Sequence, residues 1–311
     1  KQYISARREM GFIVGGSGYQ VIDIHGAKIA ILVGDDLSHL NELEDDADLV
    51  VSINSRRYGK GLLSYRQEML RRLTFTEGRD VIFVNQVGGS GDIVFDGTSG
   101  VMNRDGKPEL LMKSFEEDFQ IYDTLVENEP FEVPYTSYND RTRMIYKAAC
   151  LGVRDFFHKN GYKKACVGLS GGIDSSVVAC LAVGALGKEN VKGLMMPSQF
   201  SSEESVEDAK QLADNLGIEF SVLPINEAYT AIMDTLKPVT GGTEFDATEE
   251  NIQSRIRTVL LMALQNKDGY ILLNSSNKSE NAIGWCTLYG DTAGAFSPTG
   301  DLYKSEVYDL A

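Results

Sequence analysis

The sequence predicts an α/β protein in two parts: a strand-rich first half, and a second half whose strands and helices alternate as in a doubly wound parallel sheet. Three observations carry that expectation. From about residue 140 onward, short apolar runs are separated by amphipathic helical patterns, the order that crossovers between parallel strands require. Before about residue 122, strand-like runs are punctuated by glycine-rich turns, with one helical pattern among them. Between the two lies a polar stretch with two prolines, Glu127-Asn128-Glu129-Pro130-Phe131-Glu132-Val133-Pro134, which reads as a connection. The expected division is 1–126, a linker at 127–136, and 137–311.

In the first half, residues 19–24, 28–33, 49–53 and 80–84 have the β-branched and aromatic content of strands. Ile93-Val94-Phe95 and Gly100-Val101-Met102 suggest a hairpin, with Asn103-Arg104-Asp105-Gly106 as the turn. One helix is expected over 64–74, with Met69, Leu70 and Leu73 inward and Arg66, Arg71 and Arg72 on its outer face.

In the second half, a helix over about 140–160 leads into a strand at 165–169. A second helical pattern follows the glycines at 171–172 and ends at Gly187, a C-cap before the strand 191–196. Ser201-Ser202-Glu203-Glu204 offers a capping box for a helix with Val206, Ala209, Leu212 and Ala213 inward, stopped at Gly217. A third strand, 220–223, a longer helix, about 248–266, and a fourth strand, 270–274, complete the alternation.

Composition narrows the function. A net charge of −15 argues against a protein built to grasp nucleic acid or an anionic membrane. The longest apolar runs, at 28–33 and 270–273, are too short to span a bilayer. No signal peptide is visible, although the first residue is lysine and not methionine. Cys150, Cys166, Cys180 and Cys286 are scattered with no C-x-x-C spacing, as expected of free thiols in a reducing cytoplasm. The three histidines, His25, His39 and His158, form no metal-ligand pattern.

The chemistry concentrates in residues 168–176, Gly-Leu-Ser-Gly-Gly-Ile-Asp-Ser-Ser. A strand that turns on glycines into a helix presents backbone N–H groups at the positive end of the helix dipole, an arrangement that binds phosphate. The lysine of a Walker A loop is absent, so backbone amides and hydroxyls would hold the phosphates, with Asp174 placed for a divalent cation. An ordinary strand–helix turn with Gly171 and Gly172 at positive φ is the bland alternative. Two further polar segments fall at the carboxyl ends of predicted strands, where open α/β sheets bind ligands: Pro197-Ser198-Gln199 and 274–280. There Glu280 could share a cation with Asp174, and Lys278 could neutralise phosphate charge or simply be solvated. Asn251 and Arg255, four apart on one helix face, suit a phosphate or a sugar, or a plain solubilising pair.

Taken in order, SGGIDSS at 170–176, MPS at 196–198, ENIQSRIR at 250–257, NSSNKSE at 274–280, TLYGD at 287–291 and DLYK at 301–304 resemble NAD synthetase, from about residue 135 to the end. The resemblance implies a Rossmann-like fold of the adenine-nucleotide hydrolase type. It implies that ATP and Mg²⁺ activate the nicotinate carboxylate of deamido-NAD, that pyrophosphate leaves, and that ammonia attacks the adenylate. By motif, Gly168, Ser170, Gly171, Gly172, Asp174, Ser175 and Ser176 would cradle the ATP phosphates, and Asp174 and Glu280 would bind Mg²⁺. Ser275 and Lys304 would contact ATP, Met196 and Ser198 would lie near adenine, and Lys278 would join Asp174 and Lys304 in catalysis. Asn251, Arg255 and Asp291 would hold deamido-NAD. The family is commonly a homo-oligomer. Another adenylating amidotransferase of the GMP-synthetase type, and an inactive nucleotide-binding homologue, are the alternatives.

Val84-Asn85-Gln86-Val87-Gly88-Gly89 and Val94-Phe95-Asp96-Gly97-Thr98-Ser99 resemble the nitrilase-type glutaminase domain fused to many NAD synthetases, an α-β-β-α sandwich. That family hydrolyses glutamine with a cysteine, a lysine and a glutamate. Here the resemblance sets Gly34 at the cysteine's place and Lys1 at the lysine's, and no thiol precedes Cys150. Thiolate attack needs a thiol, so this half is expected to be an incomplete domain that does not hydrolyse glutamine, leaving free ammonia as the nitrogen source. The chain is also expected to start midway through that domain and to stop before the segment that closes the synthetase site, as a fragment, an altered chain or a degenerate homologue would.

Overall fold

The computed structural model describes residues 19–43, 47–124, 141–241 and 245–311. The chain divides into two compact units, 1–141 and 142–311. The expected linker at 127–136 and Lys1 lie outside the described residues.

The first unit is built on a mixed six-stranded sheet in the order β1-β2-β3-β4-β7-β8. Its strands are β1 Gln20–Ile24, β2 Ala27–Val33, β3 Leu49–Asn54, β4 Val81–Asn85, β7 Gly100–Met102 and β8 Pro108–Leu111. The central strands β2, β3 and β4 run parallel, and the others pair antiparallel. Alternate residues of the central strands, Ala30, Leu32, Val50, Val81 and Phe83, meet Leu37, Leu40 and Leu70 in the core, the period-2 burial of a sheet with one covered face.

The expected hairpin does not form. Strand β6, Ile93–Asp96, pairs with β5, Val87–Ser90, and β7 pairs across the Asn103–Gly106 turn with β8, which the sequence did not signal. The turn chemistry was legible, but two apolar runs near one turn do not say which is its partner. Helix α1 spans Leu62–Glu77. Arg71 and Arg72 lie outside, and their two guanidinium groups donate three hydrogen bonds to Glu68, holding its carboxyl at about 2. Arg66 corrects the expectation: it is buried, binds Asp96 through both terminal nitrogens at 3.2 and 2.6 Å, and lies 5.3 Å from the Phe83 ring centre. A charge on the inward stripe is tolerated because its counter-charge is buried with it.

The second unit carries a four-stranded, wholly parallel sheet in the order β11-β10-β9-β12. The strands are β9 Lys164–Gly168, β10 Val191–Met195, β11 Glu219–Val222 and β12 Tyr270–Leu272. Helices α2 Arg141–Lys159, α3 Ile173–Leu186 and α4 Glu203–Leu216 supply Val153, Phe157, Val178, Ala182, Ala209 and Ala213 to the cluster holding Ala165 and Val167 of β9. Cys166, between those two, faces the other cluster, with Leu272 and with Ile252, Ile256 and Leu261 of helix α6, Ala247–Asp268. Both faces are covered, as parallel sheets require.

Two details differ from expectation. Ser202, not Ser201, caps α4, accepting from Ser205 N at 3.1 Å, while Ser201 turns to bond Ser198 N. Helix α5, Asn226–Thr240, was not anticipated; it contains Pro238 and stops at Gly241, which is left-handed at φ +67°. The chain winds outward from β9 to β10 and β11, then returns to place β12 on the opposite side of β9. The loops after β9 and β12 therefore diverge at the topological switch point, where such sheets bind ligands.

Candidate active site

The loop after β9 is shaped by its own side chains. Ser175 is buried, and its hydroxyl accepts from Ser170 N at 3.2 Å and donates to Gly172 O at 3.0 Å. Ser170 Oγ accepts from Gly172 N, and Ser176 Oγ donates to Gly172 O. Gly171 alone has positive φ, +77°; Gly172 is extended, with φ −92°. A Cβ at Gly171 would lie 2.4 Å from Ser205 O in the first turn of α4, so the position needs glycine for space as well as conformation. The loop thus delivers the chain into α3 at a fixed angle, with Asp174 in that helix's first turn.

The loop after β12 starts helix α7, Lys278–Ile283, at Asn277. Asn277 is fully buried and joins two carboxylates. Its Oδ1 accepts from Glu280 N (3.0 Å), its own N donates to Glu280 Oε2 (3.1 Å), and its Nδ2 donates to Asp174 Oδ1 (3.0 Å). The other Asp174 oxygen pairs with Lys304 Nζ, from the start of helix α8, Lys304–Leu310. Lys304 N in turn bonds Ser279 Oγ at 3.0 Å. Lys278 Nζ lies 5.0 Å from the centre of the Tyr303 ring, a cation–π contact. Asp174, Asn277, Glu280 and Lys304 are therefore one hydrogen-bonded group. Among the described residues no cluster of three or more His, Cys, Asp or Glu side chains is arranged for a metal ion. Two carboxylates remain a donor set that fits a hard cation, provided phosphate and water oxygens complete the shell.

Beside this group lies a cavity of about 610 Å³, of a size that holds a small molecule. Of the residues predicted for the site, Gly168, Ser170, Met196, Asn251, Ser275 and Asp291 line it. Its far wall is the segment 284–291, held against α6 by Asn251 Oδ1 accepting from Thr287 Oγ1 (2.7 Å), Ser254 Oγ accepting from Asp291 N (3.0 Å) and Thr258 Oγ1 donating to Gly290 O (2.7 Å). Gly290 fits because a Cβ there would come within 2.4 Å of Ser254 Oγ. Arg255 is exposed, off the cavity wall, and donates Nε to Leu288 O at 3.1 Å. Ser198 is buried, accepting from Phe200 N.

Sequence reasoning overlooked three residues here. Asn277 stands inside a recognised motif but carried no role, since its bridging depends on Asp174, 103 positions away. Asn274, mostly buried, donates to Asp291 O and Ala293 O and braces the cavity wall. Arg257 lines the cavity and donates Nε to Met196 O at 2.9 Å; burial lowers its basicity. Both arginines have an amide four residues earlier, Asn251 for Arg255 and Gln253 for Arg257, so helical spacing alone does not say which of the two lines the cavity.

Sheet order, switch-point loops and an adjoining cavity define a doubly wound α/β domain with a ligand site at its carboxyl edge. Residues 145–311 match the family described as NAD synthase. The chain is 40% identical to the glutamine-dependent NAD(+) synthetase of Aquifex aeolicus, over 94% of its own length and 58% of that protein's. The glutamine-dependent NAD+ synthetase of Acinetobacter baumannii, solved in complex with ADP, superposes on 100% of this chain with 60% of its own, at 36% identity and a TM-score of 0.89. The NH3-dependent NAD synthetase of Campylobacter jejuni, in complex with a nitrate ion, covers 55% of the chain at 37% identity and a TM-score of 0.50. The chain belongs to the NAD synthase family. It spans about three-fifths of the length of the glutamine-dependent relatives named here.

Proposed function

We propose that the second unit performs the synthetase step: ATP-dependent adenylation of the nicotinate carboxylate of deamido-NAD, followed by amidation with ammonia to give NAD, AMP and pyrophosphate. The observation that carries this reading is the linkage of Asp174 in the glycine-turned loop to Asn277 and Lys304 at the sheet's switch point. In the first half-reaction a carboxylate oxygen bonds to the α-phosphorus and the bond to the bridging oxygen breaks, so pyrophosphate departs carrying negative charge. Residues 170–176 would hold those phosphates with main-chain N–H groups at the positive end of α3, and Ser175 keeps the loop in that shape. Lys304, now paired with Asp174, would turn to the departing phosphates, with Lys278 beside it.

Mg²⁺, held by Asp174 and Glu280, would neutralise charge on the phosphate oxygens. Asn277 would keep the two carboxylates facing one region. Met196 and Ser198 would border the adenine, and Ser275 would contact ATP. Asn251, Arg255 and Asp291 would position deamido-NAD, and Asn251 and Asp291 also brace the wall through Thr287. In the second half-reaction the ammonia nitrogen attacks the acyl carbon, the C–O bond to AMP breaks, and the extra protons pass to solvent. No protein nucleophile is needed.

For the first unit, the reading is a nitrilase-type domain without a nucleophile. Gly34 follows β2 directly with φ +64°, and the free thiols of the chain all lie in the second unit. The synthetase reading is tested by incubating the protein with ATP, Mg²⁺, deamido-NAD and ammonium and measuring pyrophosphate and NAD. Both should form together and should require deamido-NAD. Pyrophosphate release with XMP in its place would move the assignment to another adenylating amidotransferase.

A further inference from the structure

Among the described residues lining the 610 Å³ cavity, Arg257 is the sole cation, while Glu250 and Asp291 add acids to the lining. No carboxylate pairs with Arg257 among the described residues. Its Nε is committed to Met196 O at 2.9 Å, just past the end of β10. Among the described residues neither terminal nitrogen has a hydrogen-bond or ion-pair partner, although the residue lines the cavity. A half-buried charge without a counter-ion carries an uncompensated desolvation cost, consistent with the direction in which its basicity moves. A guanidinium held in this way is a preformed two-donor fork for a tetrahedral or planar oxyanion. Gly168 and Ser170, which open the phosphate-type loop, line the same cavity.

We propose that Arg257 binds the phosphoryl group next to the ribose of an adenine nucleotide in this cavity, which makes it the residue that distinguishes a nucleotide from a nucleoside there. This rests on the nucleotide-binding reading above. Arg257 would hold that group while the carboxylate attacks it, and Met196 O would set its orientation.

The test is calorimetric, on the full chain. AMP should bind the unaltered protein more tightly than adenosine, and the difference should shrink with added salt. Arg257→Gln should weaken AMP by roughly 10- to 100-fold, the range expected for losing hydrogen bonds to a charged group, and leave adenosine unchanged. Arg257→Lys, which keeps the charge and loses the fork, should recover part of the AMP affinity. If AMP and adenosine weaken in parallel, Arg257 merely supports the strand end, and the proposal fails. Loss of nicotinate binding with AMP unaffected would overturn it as well. Should Arg257→Gln fail to fold, equal affinities of the unaltered protein for AMP and adenosine would still refute the proposal. An unaltered protein that binds neither AMP nor ATP refutes the nucleotide reading itself, a separable result.

Discussion

Asp174 accepts from Asn277 on one oxygen and pairs with Lys304 on the other, so neither oxygen is idle. Replacing it with asparagine removes the charge and keeps the shape. Asp174→Asn should therefore abolish Mg²⁺-dependent pyrophosphate release while the far-ultraviolet circular dichroism stays unchanged; retained activity would rule out the cation role. Cys166 is a different kind of residue, on β9 with no exposed surface. Burial pushes its thiol up to about 12, against 9.0 for the free group. In the unfolded chain the thiol ionises from about pH 9, whereas the folded protein holds the proton. Unfolding thus releases a proton, and stability should fall as pH rises from 9 towards 12. Cys166→Ala should flatten that part of a urea-denaturation profile against pH; an unchanged slope would assign it to other groups.

At the scale of elements, the glycine-turned loop and helix α1 show opposite uses of a tight fit. Gly171 combines φ +77° with a backbone oxygen 2.4 Å from where a Cβ would sit. Gly171→Ala must shift either this loop or the start of α4, at a cost of about 1–3 kcal/mol. Thermal unfolding should register that cost, and a raised KM for ATP should accompany it. In α1, Arg66 and Asp96 are buried together, and Thr98 Oγ1 adds a 2.8 Å bond to the same carboxylate. Removing one charge strands the other. Arg66→Ala should cost about 3–5 kcal/mol in chemical denaturation, and Arg66→Met with Asp96→Leu should cost less than the single change. The helical stripe in this segment was readable from sequence. That one of its arginines points inward was not, because the reason is Asp96 on β6, thirty positions on.

For the molecule as a whole, the two units predict different fates for two nitrogen donors. With Gly34 just after β2 and every cysteine of the chain in the second unit, the reading proposed above gives the first unit no thiol to form a thioester with glutamine. Ammonium should support NAD formation, and glutamine should not. A coupled assay giving glutamate above background would contradict this. No helix among the described residues is long and apolar enough to cross a membrane, in keeping with the short apolar runs of the sequence.

By itself the sequence determined the α/β class, the alternation of the second half, the glycine-turned loop and the polar segments at its strand ends. These follow from local periodicity, glycine conformations and capping chemistry, each encoded within a few neighbouring residues. Tertiary structure alone decided which hairpin partner β7 takes, that Arg66 is buried, that Asn277 couples two carboxylates, and that Arg257 rather than Arg255 faces the cavity. Each of these depends on groups brought together from distant positions. A side chain's local pattern states which face it occupies, and only packing states what that face meets.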